Sequence, residues 1–270
     1  MSAFFVFAFL FSIASIAPSF ALSPSPSLAS PSFDLTCPKP SHTQKAHVKW
    51  VYDGDTLKLA DKRKLRIIGI DTPEVAHKKG KKKRSEPYAG QATEALRELL
   101  TKNNYRIAIQ EGTQNRDKYG RLLAHVFTSD DINVSEWLLR QGLATLLMIP
   151  PNDRYLECYR VAEKQAQKKG LNIWQLPQNK IRAASSLKST YNGYVRLKGT
   201  VKRIKRRKNK ISITLDHQIY ITIKKPDLGL FKDLDSEHLK GKTIQVTGML
   251  YRHGKKGYIR VRHPVYLDLD

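Results

Sequence analysis

Three short runs, at residues 47–52, 56–60 and 64–70, alternate apolar and polar side chains and are separated by turns at Asp53-Gly54 and Asp61-Lys62. A period of two places every second side chain on one face of a strand. The runs therefore read as a meander of strands with one apolar face to bury. A helix downstream supplies the cover. Residues 89–101 carry Ala92, Ala95, Leu96, Leu99 and Leu100 at helical spacing, the mark of an amphipathic helix. Residues 106–110 and 122–128 read as strands, and residues 133–141 as a helix stopped at Gly142. Asp153 is the expected N-cap of a long helix running to about Lys169, with Gly170 at its C-terminal end. The order β-β-β-α-β-β-α-α closes near Trp174. It describes a fold that is mainly β with α, an OB-type β-barrel with added helices over residues 45–176.

Beyond that point the pattern changes. Residues 177–190 are polar and mixed, and are expected to be a linker. Strand-like segments then recur at 195–204, 210–215, 219–223, 243–251 and 258–261, punctuated by Gly241 and the Gly254-Lys255-Lys256-Gly257 turn, with no long helical pattern. Residues 191–270 are expected to form a second small β-rich, OB-like barrel of five strands. No internal repeat is evident in the sequence.

The chain carries 48 Lys and Arg against 24 Asp and Glu, a formal net charge of +24. Residues 181–270 alone hold 21 basic and 7 acidic side chains. Such a charge favours encounter with polyanions and says nothing of fold. Nucleic acid is the leading partner; an anionic membrane surface is the alternative, but no basic amphipathic helix dominates the sequence. Residues 3–17 are apolar and too short to span a bilayer, and Ser19-Phe20-Ala21 comes next as a small-x-small cleavage signal. A signal peptide at 1–21 and a Ser/Pro-rich leader at 22–44 are expected. The mature protein would then be secreted or periplasmic, monomeric, and without stable membrane association. Cys37 and Cys158 are the two cysteines; an oxidising compartment permits one disulfide, unrelated thiols being the other reading, and they make a poor zinc site.

Against this basic background, carboxylates persist at turns beside arginines. Asp53-Gly54-Asp55-Thr56 is followed by Arg66, then Asp71-Thr72-Pro73-Glu74, then Arg116-Asp117-Lys118-Tyr119-Gly120-Arg121. Phosphodiester hydrolysis needs positioned positive charge for the phosphoryl oxygens and a group that orients or deprotonates water. Asp55 and Asp71 at strand ends, as hard oxygen ligands, suit Ca²⁺ or Mg²⁺. Each motif alone is an ordinary turn; Asp-Gly-Asp is a common one. The lysine-dense segment of His77, Lys78, Lys79, Lys81, Lys82, Lys83 and Arg84 reads as a solvated loop that could also help hold a nucleic-acid strand.

Taken in this order, with Gln141-Gly142-Leu143-Ala144 and Leu171-Asn172-Ile173-Trp174, the motifs resemble the staphylococcal nuclease family over about residues 45–175. The resemblance implies a five-stranded OB-type barrel with three helices and a Ca²⁺-dependent nuclease that cleaves DNA and RNA with little sequence specificity, leaving 3′-phosphate ends. It implies Asp55, Asp71 and the Thr72 carbonyl as calcium ligands, with Asp53 behind them. Glu74 would handle the attacking water, Arg66 and Arg121 the scissile phosphate, and Lys118 and Tyr119 a terminal phosphate. Where the family has tyrosines that pack on a base, this chain reads Leu146-Leu147-Met148-Ile149-Pro150-Pro151. The competing expectation is a non-catalytic nucleic-acid-binding module of the same fold. All five of Asp55, Arg66, Asp71, Glu74 and Arg121 being present speaks against it.

Overall fold

The structure, a computed structural model, describes Met1 and residues 36–76, 84–216, 218–232, 234 and 236–269. The expected signal peptide (Met1 aside), most of the leader, and the lysine-dense stretch at 77–83 lie outside the described residues.

The first half comprises β1 (Gln44–Val51), β2 (Thr56–Leu59), β3 (Lys64–Ile67), β4 (Gly69–Asp71), α1 (Ala89–Lys102), β5 (Arg106–Arg116), β6 (Leu122–Thr128), α2 (Val134–Arg140), β7 (Thr145–Leu147) and α3 (Leu156–Lys169). Strands β1-β2-β3-β6-β5 form a closed barrel, sealed by the antiparallel β1–β5 pair and crossed once by the parallel β3–β6 pair. Alternation explains the inside: Leu57, Leu59, Leu65, Ile67, Ile109 and Val126 are buried, and Leu96 and Leu100 of α1 join the same core. Each such side chain contributes roughly 1.5–3 kcal/mol on burial.

Two local expectations are corrected. The strand expected at 64–70 breaks into β3 and β4, because Gly69 adopts a positive φ of 92° and a Cβ there would lie 2.3 Å from the Tyr159 ring. The freed β4 pairs instead with β7, a short strand absent from the periodicity. Asp153 does not cap α3 with its side chain. Its carbonyl accepts from Leu156 N at 3.0 Å, and the helix begins at that Leu156, after Tyr155. Gly170 ends α3 in the left-handed region as expected, at φ 62°.

The second half comprises β8 (Ile181–Ala183), β9 (Gly193–Arg207), β10 (Lys210–Leu215), β11 (Ile219–Lys224), α4 (Ser236–Leu239), β12 (Thr243–His253), β13 (Lys256–Arg260) and β14 (Leu267–Asp268). Its central strands run β9-β10-β11-β13-β12, with β12 pairing back onto β9 and β11 parallel to β13. That is the connectivity of the first barrel, repeated without a repeat in sequence. Ile211, Ile213, Ile219, Ile221 and Ile259 fill it. The fold is thus mainly β, an OB-type barrel with helices followed by a second five-stranded barrel. The stretch at 177–190 carries structure of its own, with 3-10 turns at Pro177–Asn179 and Ala184–Ser186 and β8 lying parallel on β9.

The barrels are packed on one another. Arg196 of β9 lies over the Trp174 ring at 5.3 Å and donates to Gln167 Oε1 at 2.8 Å. Tyr266, which touches both cores, accepts a hydrogen bond from Met148 N through its hydroxyl. Cys37 and Cys158 form a disulfide with Cα atoms 5.5 Å apart, tying the N-terminal edge to α3.

Candidate active site

The β1–β2 turn and the end of β4 meet at one end of the first barrel. Tyr52 N donates to Thr56 O at 2.9 Å, and Asp55 N to Asp53 Oδ1 at 3.1 Å, so the turn is pinned on both sides. Gly54 is required by contact. A Cβ there would stand 2.8 Å from Thr72 Cγ2 and 3.0 Å from Ala92 Cβ. Close approach in turn brings Asp55 onto Thr72: the buried Asp55 Oδ2 accepts from Thr72 N at 3.0 Å and Thr72 Oγ1 at 3.1 Å, while Oδ1 accepts from Thr56 Oγ1 at 2.9 Å.

Arg66 faces Thr56 across the β2–β3 register. Its Nη1 donates to the carbonyls of Ile67 and Ile70, each at 2.8 Å. Nη2 then lies 2.9 Å from Asp71 Oδ1 and 3.1 Å from Asp55 Oδ2. Two carboxylates, one from the β1–β2 turn and one from the end of β4, therefore converge on one cationic nitrogen. Thr145 Oγ1 steadies this corner from β7 by donating to Asp71 O at 3.3 Å.

Glu74 is exposed at the rim. Its backbone is tied to Glu86: Glu86 N donates to Glu74 O at 2.9 Å and Glu74 N to Glu86 Oε2 at 3.1 Å. Glu86 escaped the sequence reading, since it comes after the basic loop with no motif around it. Arg121 lies just before β6, where Leu123 pairs with Arg66. Strand alternation puts Arg121 and Leu123 on the outer side with Arg66. Its Nε donates to Asp117 Oδ2 at 2.6 Å, so Asp117 holds it, not the Asp55–Asp71 pair. Lys118 and the exposed Tyr119 form the tip of that turn, with Lys118 Nζ 4.9 Å from the Tyr119 ring. The structure thus gathers Asp53, Asp55, Arg66, Asp71 and Thr72 tightly, sets Glu74 beside them, and places Lys118, Tyr119 and Arg121 on a neighbouring turn.

The site carries excess negative charge. Burial, then the Asp55 charge, raises the Asp53 carboxyl above its usual range. About half of the Asp71 side chain meets solvent, yet its carboxylate lies at the edge of a recess. Desolvation there raises it; Arg66 opposes, and the charges of Asp55, Glu74 and Glu86 add to the rise. The recess, of about 440 Å³, runs from Asp71, Glu74 and Glu86 to Tyr191, Tyr194 and Met249 of the second half. Among the described residues no group of three or more His, Cys, Asp or Glu side chains forms a metal cluster. The groups that could hold a cation at this corner are the converging Asp55 and Asp71 carboxylates, with backbone or water oxygens.

A carboxylate pair on one cation beside arginines suits phosphate chemistry, and the comparisons agree. Residues 64–176 match the family model described as staphylococcal nuclease homologue. A thermonuclease of Staphylococcus intermedius is 40% identical over 133 residues, spanning 47% of this chain and 74% of that protein. The chain belongs to the staphylococcal nuclease family. Among its relatives, a thermonuclease of Staphylococcus hyicus is 37% identical over 128 residues, 46% of this chain and 72% of the relative. Endonuclease YncB of Bacillus subtilis is 37% identical over 128 residues, covering 45% of this chain and 57% of its own length. As a member of the staphylococcal nuclease family the protein is a nuclease, a hydrolase whose substrate is nucleic acid. The reading as a non-catalytic module gives way to it. The family match stops at residue 176 and leaves the second barrel unassigned.

Proposed function

We propose that the protein is a secreted or periplasmic, calcium-dependent nuclease that hydrolyses DNA and RNA with little sequence preference and leaves 3′-phosphate ends. The observation that carries the reading is the convergence of Asp55 Oδ2 and Asp71 Oδ1 on Arg66 Nη2, at 3.1 and 2.9 Å. A centre that already accommodates a cation between two hard oxygens fits Ca²⁺, with Asp55, Asp71 and the Thr72 carbonyl as protein ligands. When bound, the ion supplies positive charge against the phosphoryl oxygens.

The chain's own residues do the remaining work. Arg66 is fixed through Nη1 by two carbonyls and through Nη2 by Asp55 and Asp71, so its Nε, and its Nη2 once a cation takes the two carboxylates, would face phosphate; the planar guanidinium suits paired oxygens. Arg121 stands on the same outer side, steadied by Asp117. Glu74, exposed and tied by its backbone to Glu86, orients the attacking water and takes its proton. Lys118 and Tyr119 hold a neighbouring phosphate. Asp53 supports Asp55 through the bond from Asp55 N. The basic second barrel adds sequence-independent grip on the polyanion. The Cys37–Cys158 disulfide supports an oxidising compartment, in keeping with the apolar N-terminal run.

Digestion of plasmid DNA and RNA with Ca²⁺, Mg²⁺ or chelator, followed by end-group analysis, tests this. Cleavage restored by Ca²⁺ with 3′-phosphate ends is expected. Activity indifferent to chelation would remove the metal from the reading, and 5′-phosphate ends would overturn the assignment of the cleaved bond.

A further inference from the structure

The outer face of the second barrel has an order that its charge alone does not explain. Strand pairing aligns Tyr220 of β11 with Tyr258 of β13, and Tyr258 with Tyr251 of β12. Three tyrosines thus stand side by side across three adjacent strands. The Tyr220 and Tyr258 rings are stacked, with centroids 5.3 Å apart and planes 23° from parallel. Tyr258 is 37% exposed and Tyr251 62%. Cross-strand packing accounts for the Tyr220–Tyr258 pair, but not for the open ring of Tyr251. The same row continues through Thr214 of β10 to Arg203 of β9. One step along the strands, Lys205, Ser212, Thr222 and Arg260 form the next row, and beyond them Lys210 pairs with both Arg207 and Lys224. Aromatic rings are therefore flanked by cations on one sheet face. On β12 that face leads from Tyr251 to Met249, which is 46% exposed and lines the recess that opens on Asp71 and Glu74.

We propose that this face is a platform for single-stranded nucleic acid, on which bases stack on Tyr251 and Tyr258 while the flanking lysines and arginines track the phosphates. The strand then passes Met249 into the catalytic recess. Stacking requires bases free of a duplex, so the surface selects single strands, and each stacked base is worth roughly 5- to 150-fold in affinity. The platform rests on the nuclease reading only for the direction in which the strand leaves it.

The test uses the full chain with Tyr251→Ala, Tyr258→Ala and the double variant, with Tyr→Phe at both positions as ring-preserving controls. Substrates are a dinucleotide, an oligothymidylate of about 16 nucleotides, and a duplex of equal length. The double variant is expected to raise KM for the oligothymidylate at least about tenfold with kcat unchanged, leaving dinucleotide and duplex kinetics as in the parent. The Phe variants should match the parent. An unmoved oligothymidylate KM, or an equal rise on the dinucleotide or duplex, overturns the proposal. Anisotropy of labelled oligothymidylate in a Glu74→Gln background reads the platform without cleavage. A parent that cleaves nothing would thus count against the nuclease reading alone. Melting temperatures are recorded throughout. Should the double variant unfold, Tyr251→Ala, at the most exposed of the three rings, carries the same expectation.

Discussion

Glycine 54 shows how tightly the fold and the chemistry share atoms. Its missing Cβ lets Thr72 close to within contact, and Thr72 in turn gives two hydrogen bonds to the Asp55 carboxylate. In the sequence, Asp53-Gly54-Asp55 was legible as a turn and, by its order with later motifs, as part of a site. The steric reason for the glycine was not, because Thr72 is distant in sequence and reaches the turn only through the barrel. Gly54→Ala should displace Thr72 or Ala92 and lower stability by about 1–3 kcal/mol, with a loss of activity beyond the unfolded fraction. Urea denaturation alongside initial rates checks this; unchanged stability would mean that the turn has room to relax. Glu86 had no such legibility. It fixes Glu74 across the basic loop with one backbone bond and one bond from Glu74 N to its own carboxylate, which no residue pattern announces.

Among the elements, β6 carries a buried base. His125 is 2% exposed, and its Nδ1 lies 3.0 Å from the Tyr159 hydroxyl. Burial, and secondarily Arg154, pushes its pKa down from 6.5 to about 3. The unfolded chain therefore binds a proton below about 6.5 that the folded chain refuses until about 3. Stability from this group is present above 6.5 and is lost as pH falls through that window. His125→Gln should flatten the melting-temperature profile between about pH 6.5 and 3 relative to the parent; parallel profiles would show that the imidazole is not kept neutral. Most strands and helices were readable from periodicity because one face of each is buried. The exceptions have a tertiary cause. Tyr159 forces the break at Gly69, and β7 exists only because β4 is then free to pair with it.

At the scale of the molecule, two barrels of one connectivity divide the labour. The first carries the carboxylates and the arginine pair; residues 181–270, which hold the second barrel, carry 21 of the 48 basic side chains. The alternation within the second barrel was legible, but its docking was not, since Arg196 on Trp174 and Tyr266 on Met148 are long-range contacts. Neutralising Lys202, Lys205, Arg207 and Lys208, all exposed on β9 and its turn, should weaken oligonucleotide binding and reduce the slope of log K against log salt by up to about 0.7–0.9 per lost phosphate contact. An unchanged slope would assign that charge to another partner.

The most direct test of the site as a whole is Glu74→Gln, assayed for turnover and for oligonucleotide affinity in parallel. Glu74 stands at the rim, where loss of a base leaves the Asp55–Arg66–Asp71 corner intact. The expected result is a fall in kcat of about 10²- to 10⁴-fold with the dissociation constant essentially unchanged. Undiminished turnover, or an equal loss of binding, would contradict the assignment of water activation to this carboxylate.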